Sequence, residues 1–236
     1  MHMEHHQWFS PSLQRPMELL WYGSWGRPLL IFPTSMGGCR QNEDGGLIRS
    51  LADKIDGGEI QVCSVASIDT EHWYNDWAHP SGKVARYVQF DRYLSDEVVP
   101  LIQRKAERGD VVTFGASFGA YHAVNFAGRH PDLVSRVVAF SGVYDIHRFL
   151  HGYWDDNCYF NCPTAYMPNL PDEAVARMKH IGWVIATGEN DHLIAENRWF
   201  AAMLAGKGLN VHAEAWEGVF GHDWPFWNQH LRRFVP

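Results

Sequence analysis

Long apolar runs are missing from this chain. No stretch reaches the roughly 20 consecutive apolar residues that a bilayer-spanning helix requires, and residues 1–16 are polar and histidine-rich, without the apolar core of a secretory signal. No membrane partner and a cytoplasmic location are therefore expected. Cysteine is scarce as well. Cys39, Cys63, Cys158 and Cys162 are too few and too scattered for a disulfide framework, so they read as reduced thiols. Cys158 and Cys162 lie four apart, but no second Cys or His pair accompanies them, and no metal site is expected there. Positive charge is short too: 20 Lys and Arg face 27 Asp and Glu, for a formal net charge of -7. That balance, with no basic cluster to override it, disfavours a nucleic-acid partner.

What the chain has in quantity is apolar and aromatic surface. Its 236 residues are 46% hydrophobic, enough for one α/β domain over 1–236 with a large buried sheet. The 11 Trp residues exceed what such a core ordinarily takes up, so some are expected to line a pocket. Strand signals alternate with helical ones, the pattern of a mostly parallel sheet covered on both faces. Residues 7–10 and 17–22 read as antiparallel lead-in strands. Parallel strands are expected over 29–32, 59–65, 110–114, 135–140, 183–187 and 211–216, the last half-buried because its apolar residues alternate with polar ones. Helices are expected over 46–55, along 84–102 with a kink at Pro100, over 120–128 and 196–206, and over 224–234 at the end. Residues 145–177 break this rhythm with Phe149, Tyr153, Trp154, Tyr159, Phe160 and Tyr166. They read as a short aromatic-rich insertion, either a lid or pocket wall or a surface loop packed by its own side chains.

The most informative stretch is Gly115-Ala116-Ser117-Phe118-Gly119, set between a strand-like run and a helix-like run. A sharp strand-to-helix turn lifts one side chain above the sheet edge, and the flanking glycines leave room where a Cβ would strike the neighbouring backbone. Ser117 is therefore the candidate nucleophile. A serine hydroxyl is a poor nucleophile near neutral pH, so it needs a base within hydrogen-bond reach and an acid to orient that base. Asp191 follows the strand at 183–187 and His222 follows the final strand, each in a loop at a strand's carboxyl end, where open α/β sheets bind ligands. Glu189 and Asp145 are competing acids. His192 adjoins the acid and His122 lies one turn along the elbow helix, which suits neither as the base.

A tetrahedral intermediate also needs donors for its oxyanion. The Phe118 N–H is one. The other is expected from Thr34-Ser35-Met36-Gly37-Gly38, with the Met36 N–H preferred and that of Ser35 as the alternative. Trp73, Tyr74 and Trp154 are candidates for substrate contact, with ordinary core packing the competing explanation for the first two.

With these residues in view, the chain resembles the α/β-hydrolase superfamily and, within it, the putative esterase family that includes esterase D-like enzymes and mycolyltransferases. The resemblance runs from Leu29 to Trp227. It rests on Phe32-Pro33-Thr34-Ser35, Trp73-Tyr74-Asn75, Gly115 to Ala120, Ser141-Gly142-Val143-Tyr144-Asp145, Thr187-Gly188-Glu189-Asn190-Asp191 and Gly221-His222-Asp223-Trp224. It implies Ser117 as nucleophile, Asp191 as acid and His222 as base, with no cofactor and no metal. Ala116 departs from the family's usual histidine before the serine, a change in the pocket wall. The implied activity is hydrolysis of a small-molecule carboxylic ester through an acyl-enzyme. An acyltransferase using the same residues and a noncatalytic binding module are the alternatives, and assembly into a homo-oligomer is left open.

Overall fold

Alternating polar and apolar side chains open the chain as a hairpin. In the computed structural model, which describes residues 1–235, β1 (Met3–Ser10) pairs antiparallel with β2 (Arg15–Tyr22), starting earlier than its apolar residues suggest. His5 and Gln7 extend the pairing by reaching Glu18 on the neighbouring strand. Then β2 pairs antiparallel with β4 (Ile60–Val65). The other neighbours are parallel: β3 (Arg27–Ile31) with β4 and with β5 (Val111–Ala116), then β6 (Val134–Phe140), β7 (Gly182–Gly188) and β8 (Asn210–Trp216). The eight strands run in the order β1-β2-β4-β3-β5-β6-β7-β8, the mostly parallel sheet that the sequence pattern implies.

This order puts β3 between β4 and β5. The chain leaves β3 toward one side of the sheet and returns at β5 on the other. The carboxyl ends of β3 and β5 thus flank a topological switch point, where α/β sheets open a crevice. The Gly-rich turn 34–38 leaves β3 and the Ser117 elbow leaves β5.

Successive strand residues point to opposite faces, and two apolar clusters result. On one face, Leu30, Val111 and Val137 join α4 (Pro80–Tyr93), α5 (Val99–Ala106), α6 (Phe118–Arg129) and α10 (Ile194–Gly206). On the other, Leu29, Ile31, Val112 and Phe114 are covered by Leu47 to Ile55 and by Trp227 and Leu231 of α11 (Trp224–Leu231). Between α4 and α5, a π-helical segment, Leu94–Val98, takes up the irregularity that Pro100 imposes, so the bend falls just ahead of the proline. The helix expected over 46–55 is instead α1 (Gln41–Asp44), α2 (Leu47–Ser50) and α3 (Ala52–Asp56), single turns separated at Gly45-Gly46 and at Leu51. Gly46 is at φ 83, which a continuing helix does not allow.

The insertion after β6 is built from short turns, among them α7 (Asp156–Tyr159), α8 (Pro163–Tyr166) and α9 (Asp172–Met178). Phe149, Leu150, Cys158, Cys162, Tyr166 and Met167 are buried in the α6-side cluster, and Tyr121 Oη of α6 donates to the Asn161 carbonyl at 2.9 Å. The insertion is a wall packed against the elbow helix. All four cysteines are free and buried, and no helix among the described residues is long and apolar enough to cross a membrane.

Candidate active site

Ser117 occupies a corner that the backbone resists. It caps α6 at φ 55, ψ -122, a region a non-glycine residue enters only at a cost of about 1–3 kcal/mol. Neighbouring contacts over-determine it. The Ser117 N–H donates to the Phe140 carbonyl of β6 at 2.9 Å. A Cβ on Gly115 would overlap the Gly119 carbonyl, and one on Gly119 would lie 2.5 Å from the Pro33 carbonyl oxygen. The two flanking glycines therefore let the start of α6 lie directly on the strand before it and on the loop leaving β3.

The loops after β7 and β8 converge on this serine. His222 Nε2 lies 3.1 Å from Ser117 Oγ, and His222 Nδ1 lies 3.1 and 3.3 Å from the two carboxylate oxygens of Asp191. With the Nδ1 proton assigned toward Asp191, Nε2 is the acceptor for the serine hydroxyl. Asp191 is a buried carboxylate that also accepts from Thr187 Oγ1 at 2.8 Å and from the Leu193 N–H at 2.9 Å. Burial works against its ionisation, yet the hydrogen bonds from His222, the Leu193 amide and Thr187 prevail and bring its pKa from 3.8 to about 2. It stays charged across the working pH range. The His222 loop is braced from below: Trp227 Nε1–H donates to Ser141 Oγ at 3.2 Å, and Ser141 Oγ–H donates to the Gly221 carbonyl at 3.1 Å.

The other candidates separate clearly. Glu189 is exposed and accepts from the Gly218 N–H at 3.2 Å, bracing the loop without reaching His222. Asp145 pairs with His147 at 2.7 Å in the insertion. His192 is exposed beside Asp191, and His122 is fully buried. Trp73 is a correction to the sequence reading. It is 0% exposed, its ring lies 5.1 Å from that of Tyr87, and so it is a core residue out of substrate reach. Tyr74 is half-buried, and its hydroxyl sits 2.8 Å from Ser35 Oγ while its ring meets Phe118 edge-on. Trp154 is exposed and stacks on His147 at 4.3 Å, lining a cavity of about 380 Å³ with Leu150 and Tyr153.

The donors near the serine also depart from expectation. Phe118 is the first residue of α6, so its N–H is one of the unsatisfied amides at the positive end of that helix. The Met36 N–H, however, is already engaged, donating to Asp69 Oδ2 at 2.7 Å. Among the described residues the Ser35 N–H has no partner. Asp69, Thr187 and Ser141 are site-supporting residues to which motif reasoning gives no role, although Ser141 and Thr187 begin stretches that carry the resemblance and each stand at the end of a strand that leads into the site.

A family model described as putative esterase matches residues 40–236. No curated protein matches the chain. Solved structures with the same α/β-hydrolase fold include a ferulic acid esterase, 17% identical over 100% of this chain and 96% of that one, with a TM-score of 0.79. MPT51 (FbpC1) of Mycobacterium tuberculosis is 16% identical over 99% and 96%, with a TM-score of 0.71. The fluorophosphonate-binding serine hydrolase FphF of Staphylococcus aureus is 17% identical over 99% and 96%, with a TM-score of 0.68.

Proposed function

The chain belongs to the putative esterase family, and from that premise we propose that it is a serine carboxylic-ester hydrolase working through an acyl-enzyme on Ser117. The observation that carries this reading is the continuous hydrogen-bond chain from Ser117 Oγ through His222 to the buried carboxylate of Asp191. His222 Nε2 takes the hydroxyl proton as Oγ attacks the ester carbonyl. Asp191 holds the ring in the required tautomer and stabilises the imidazolium. The tetrahedral oxyanion is met by the Phe118 N–H, aided by the positive end of α6, and by a second amide from the loop after β3.

Collapse of the intermediate expels the alcohol, which takes its proton from His222 Nε2–H. His222 then activates a water to attack the acyl-enzyme, and a second collapse returns Ser117 and frees the acid. The His222 side chain retains 17% exposure, so the base is open to the solvent water that deacylation requires. The substrate is a carboxylic ester whose acyl carbonyl can enter a crevice flanked by the 34–38 turn and Tyr74. Hydrolysis of p-nitrophenyl acetate tests the reading. Ser117→Ala should lose essentially all turnover and all labelling by a fluorophosphonate, and turnover equal to the native chain would refute it.

A further inference from the structure

A second carboxylate lies beneath the site, outside the chain that serves Ser117. Asp69 opens a short helical turn after β4, and its side chain is 0% exposed. One oxygen, Oδ2, accepts the Met36 N–H at 2.7 Å; the other, Oδ1, accepts from His122 Nε2 at 3.0 Å and faces His72 Nε2 at 3.5 Å. Its backbone carbonyl also accepts the Tyr74 N–H at 2.9 Å. Burial opposes the charge, but the His122 charge and hydrogen bond, with help from His72, keep the carboxyl below its usual range. Burying a carboxylate costs several kcal/mol unless it is fully paired. Here the pairing joins two pieces of the site: the turn after β3 and, through His122, the helix whose first amide belongs to Phe118.

Met36 sits at φ 59, strained for a residue with a side chain, and must be held there. The Gly37 N–H closes the turn onto the Thr34 carbonyl at 3.1 Å, and Asp69 fixes the peptide between. A trans peptide is planar, so turning the Met36 N–H onto Asp69 sends the Ser35 carbonyl the opposite way. The preceding peptide then carries an unengaged amide, that of Ser35, while the other amide of residues 34–38 without a partner among the described residues, Gly38, lies past the Gly37 closure. This residue is beside the elbow: its hydroxyl meets Tyr74, whose ring lies 5.2 Å from that of Phe118, and the Pro33 carbonyl rests against Gly119.

We propose that Asp69 is a positioning residue, which pins the Met36 N–H so that the Ser35 N–H joins that of Phe118 as the donor pair for the acyl oxygen. The proposal rests on the serine-esterase reading above.

The test on the native chain is an amide NMR comparison before and after Ser117 is phosphonylated with a fluorophosphonate, the phosphonyl oxygen standing in for the oxyanion. The Ser35 amide should move strongly downfield on phosphonylation while Met36 keeps its place. Movement of Met36 with Ser35 unmoved overturns the proposal. Kinetics give an independent reading that holds size constant. Asp69→Asn leaves one of the two bonds facing an NH₂ group, and kcat for p-nitrophenyl acetate should fall about tenfold or more with KM within about twofold, part of the roughly 100-fold effect of losing an oxyanion donor. The final extent of labelling should remain one per chain, which separates mispositioning from loss of folded protein. An unchanged or raised kcat overturns the proposal, a rise marking Met36 as the donor that Asp69 withholds. Failure of the native chain to label at Ser117 would instead sink the serine reading itself.

Discussion

Replacing Asp191 with asparagine changes one oxygen to an NH₂ group and almost no volume, so its effect isolates the charge and the acceptor. Both carboxylate oxygens are in use. Oδ1 receives the Leu193 N–H and Oδ2 receives Thr187 Oγ1–H, while His222 Nδ1 lies within 3.3 Å of each. The Leu193 amide cannot turn, so it holds the asparagine oxygen at the Oδ1 place. The NH₂ group then takes the Oδ2 place, where the Thr187 hydroxyl can rotate to accept it. That puts a donor against His222 Nδ1. The ring keeps its proton on Nε2, facing Ser117 with nothing to accept the hydroxyl proton. A wrong tautomer of this kind costs about 10⁴-fold in kcat, or roughly 5 kcal/mol. The assay is p-nitrophenyl acetate hydrolysis at neutral pH, with Glu189→Gln and Asp145→Asn as companions, since these carboxylates do not reach His222. Both companions should retain near-native kcat. Retention of more than a tenth of the activity by Asp191→Asn, or a loss of similar size in Glu189→Gln, would refute the assignment of the acid. Stability carries a second signature. A carboxyl held at about 2 when folded against 3.8 unfolded stabilises the fold above the higher value, and this contribution, on the order of 2 kcal/mol, is lost as pH falls through the lower. Over that acid window Tm of the native chain should fall more steeply than Tm of Asp191→Asn.

Three other substitutions probe the frame around the serine and the core behind it. Gly119→Ala places a methyl 2.5 Å from the Pro33 oxygen and 3.1 Å from that of Phe32, backbone atoms that can yield only by moving the turn after β3. Tm should drop by the equivalent of about 1–3 kcal/mol and kcat should fall in the protein that remains folded; native values of both would show that the loop does not rest on the elbow. Trp73 and Tyr74 should part company. Trp73→Ala is expected to cost about 3–5 kcal/mol in urea unfolding with KM unchanged, whereas Tyr74→Phe, which loses the hydroxyl's contacts with Ser35 and Arg148, should cost about 1 kcal/mol or less and act on turnover. The reverse pattern would return Trp73 to the substrate.

Which parts of the molecule are legible in the residues follows from how local their causes are. The parallel strands are readable because burial on both faces makes them continuous apolar runs, as in β5, where every residue is buried. The elbow is readable because Gly115 answers a contact made within five residues, although Gly119 answers the distant Pro33 carbonyl. Asp191 and His222 are readable as polar residues just past strand ends. The broken helices over 41–56 are not, because what stops them comes from the far end of the chain: a side chain on Gly45 would strike the Trp224 ring, and Asn228 Nδ2–H donates to the Gly45 carbonyl at 2.8 Å. Trp73 misleads for a similar reason. Its neighbours Tyr87, Tyr121 and Phe149 are supplied by α4, α6 and the insertion, and no pattern near residue 73 announces them. Asp69 is a lone acid on a three-residue turn, and its partners stand 33 and 53 positions away.

The fold therefore carries two Asp–His pairs close to one nucleophile, and their far nitrogens decide what each can do. In Asp191–His222 the second ring nitrogen lies 3.1 Å from Ser117 Oγ, so a proton leaving the serine has a destination and, through the partly exposed ring, a route onward. In Asp69–His122 the second ring nitrogen, Nδ1, is buried with no hydrogen-bond partner among the described residues. No proton can be relayed through it. What this sealed pair offers is a fixed acceptor in a dry interior, where a hydrogen bond to a carboxylate is strong and does not exchange with water. Such a bond suits holding a strained turn in place between catalytic cycles. On the proposed reading, one pair moves a proton, and the other keeps the amides still while it moves.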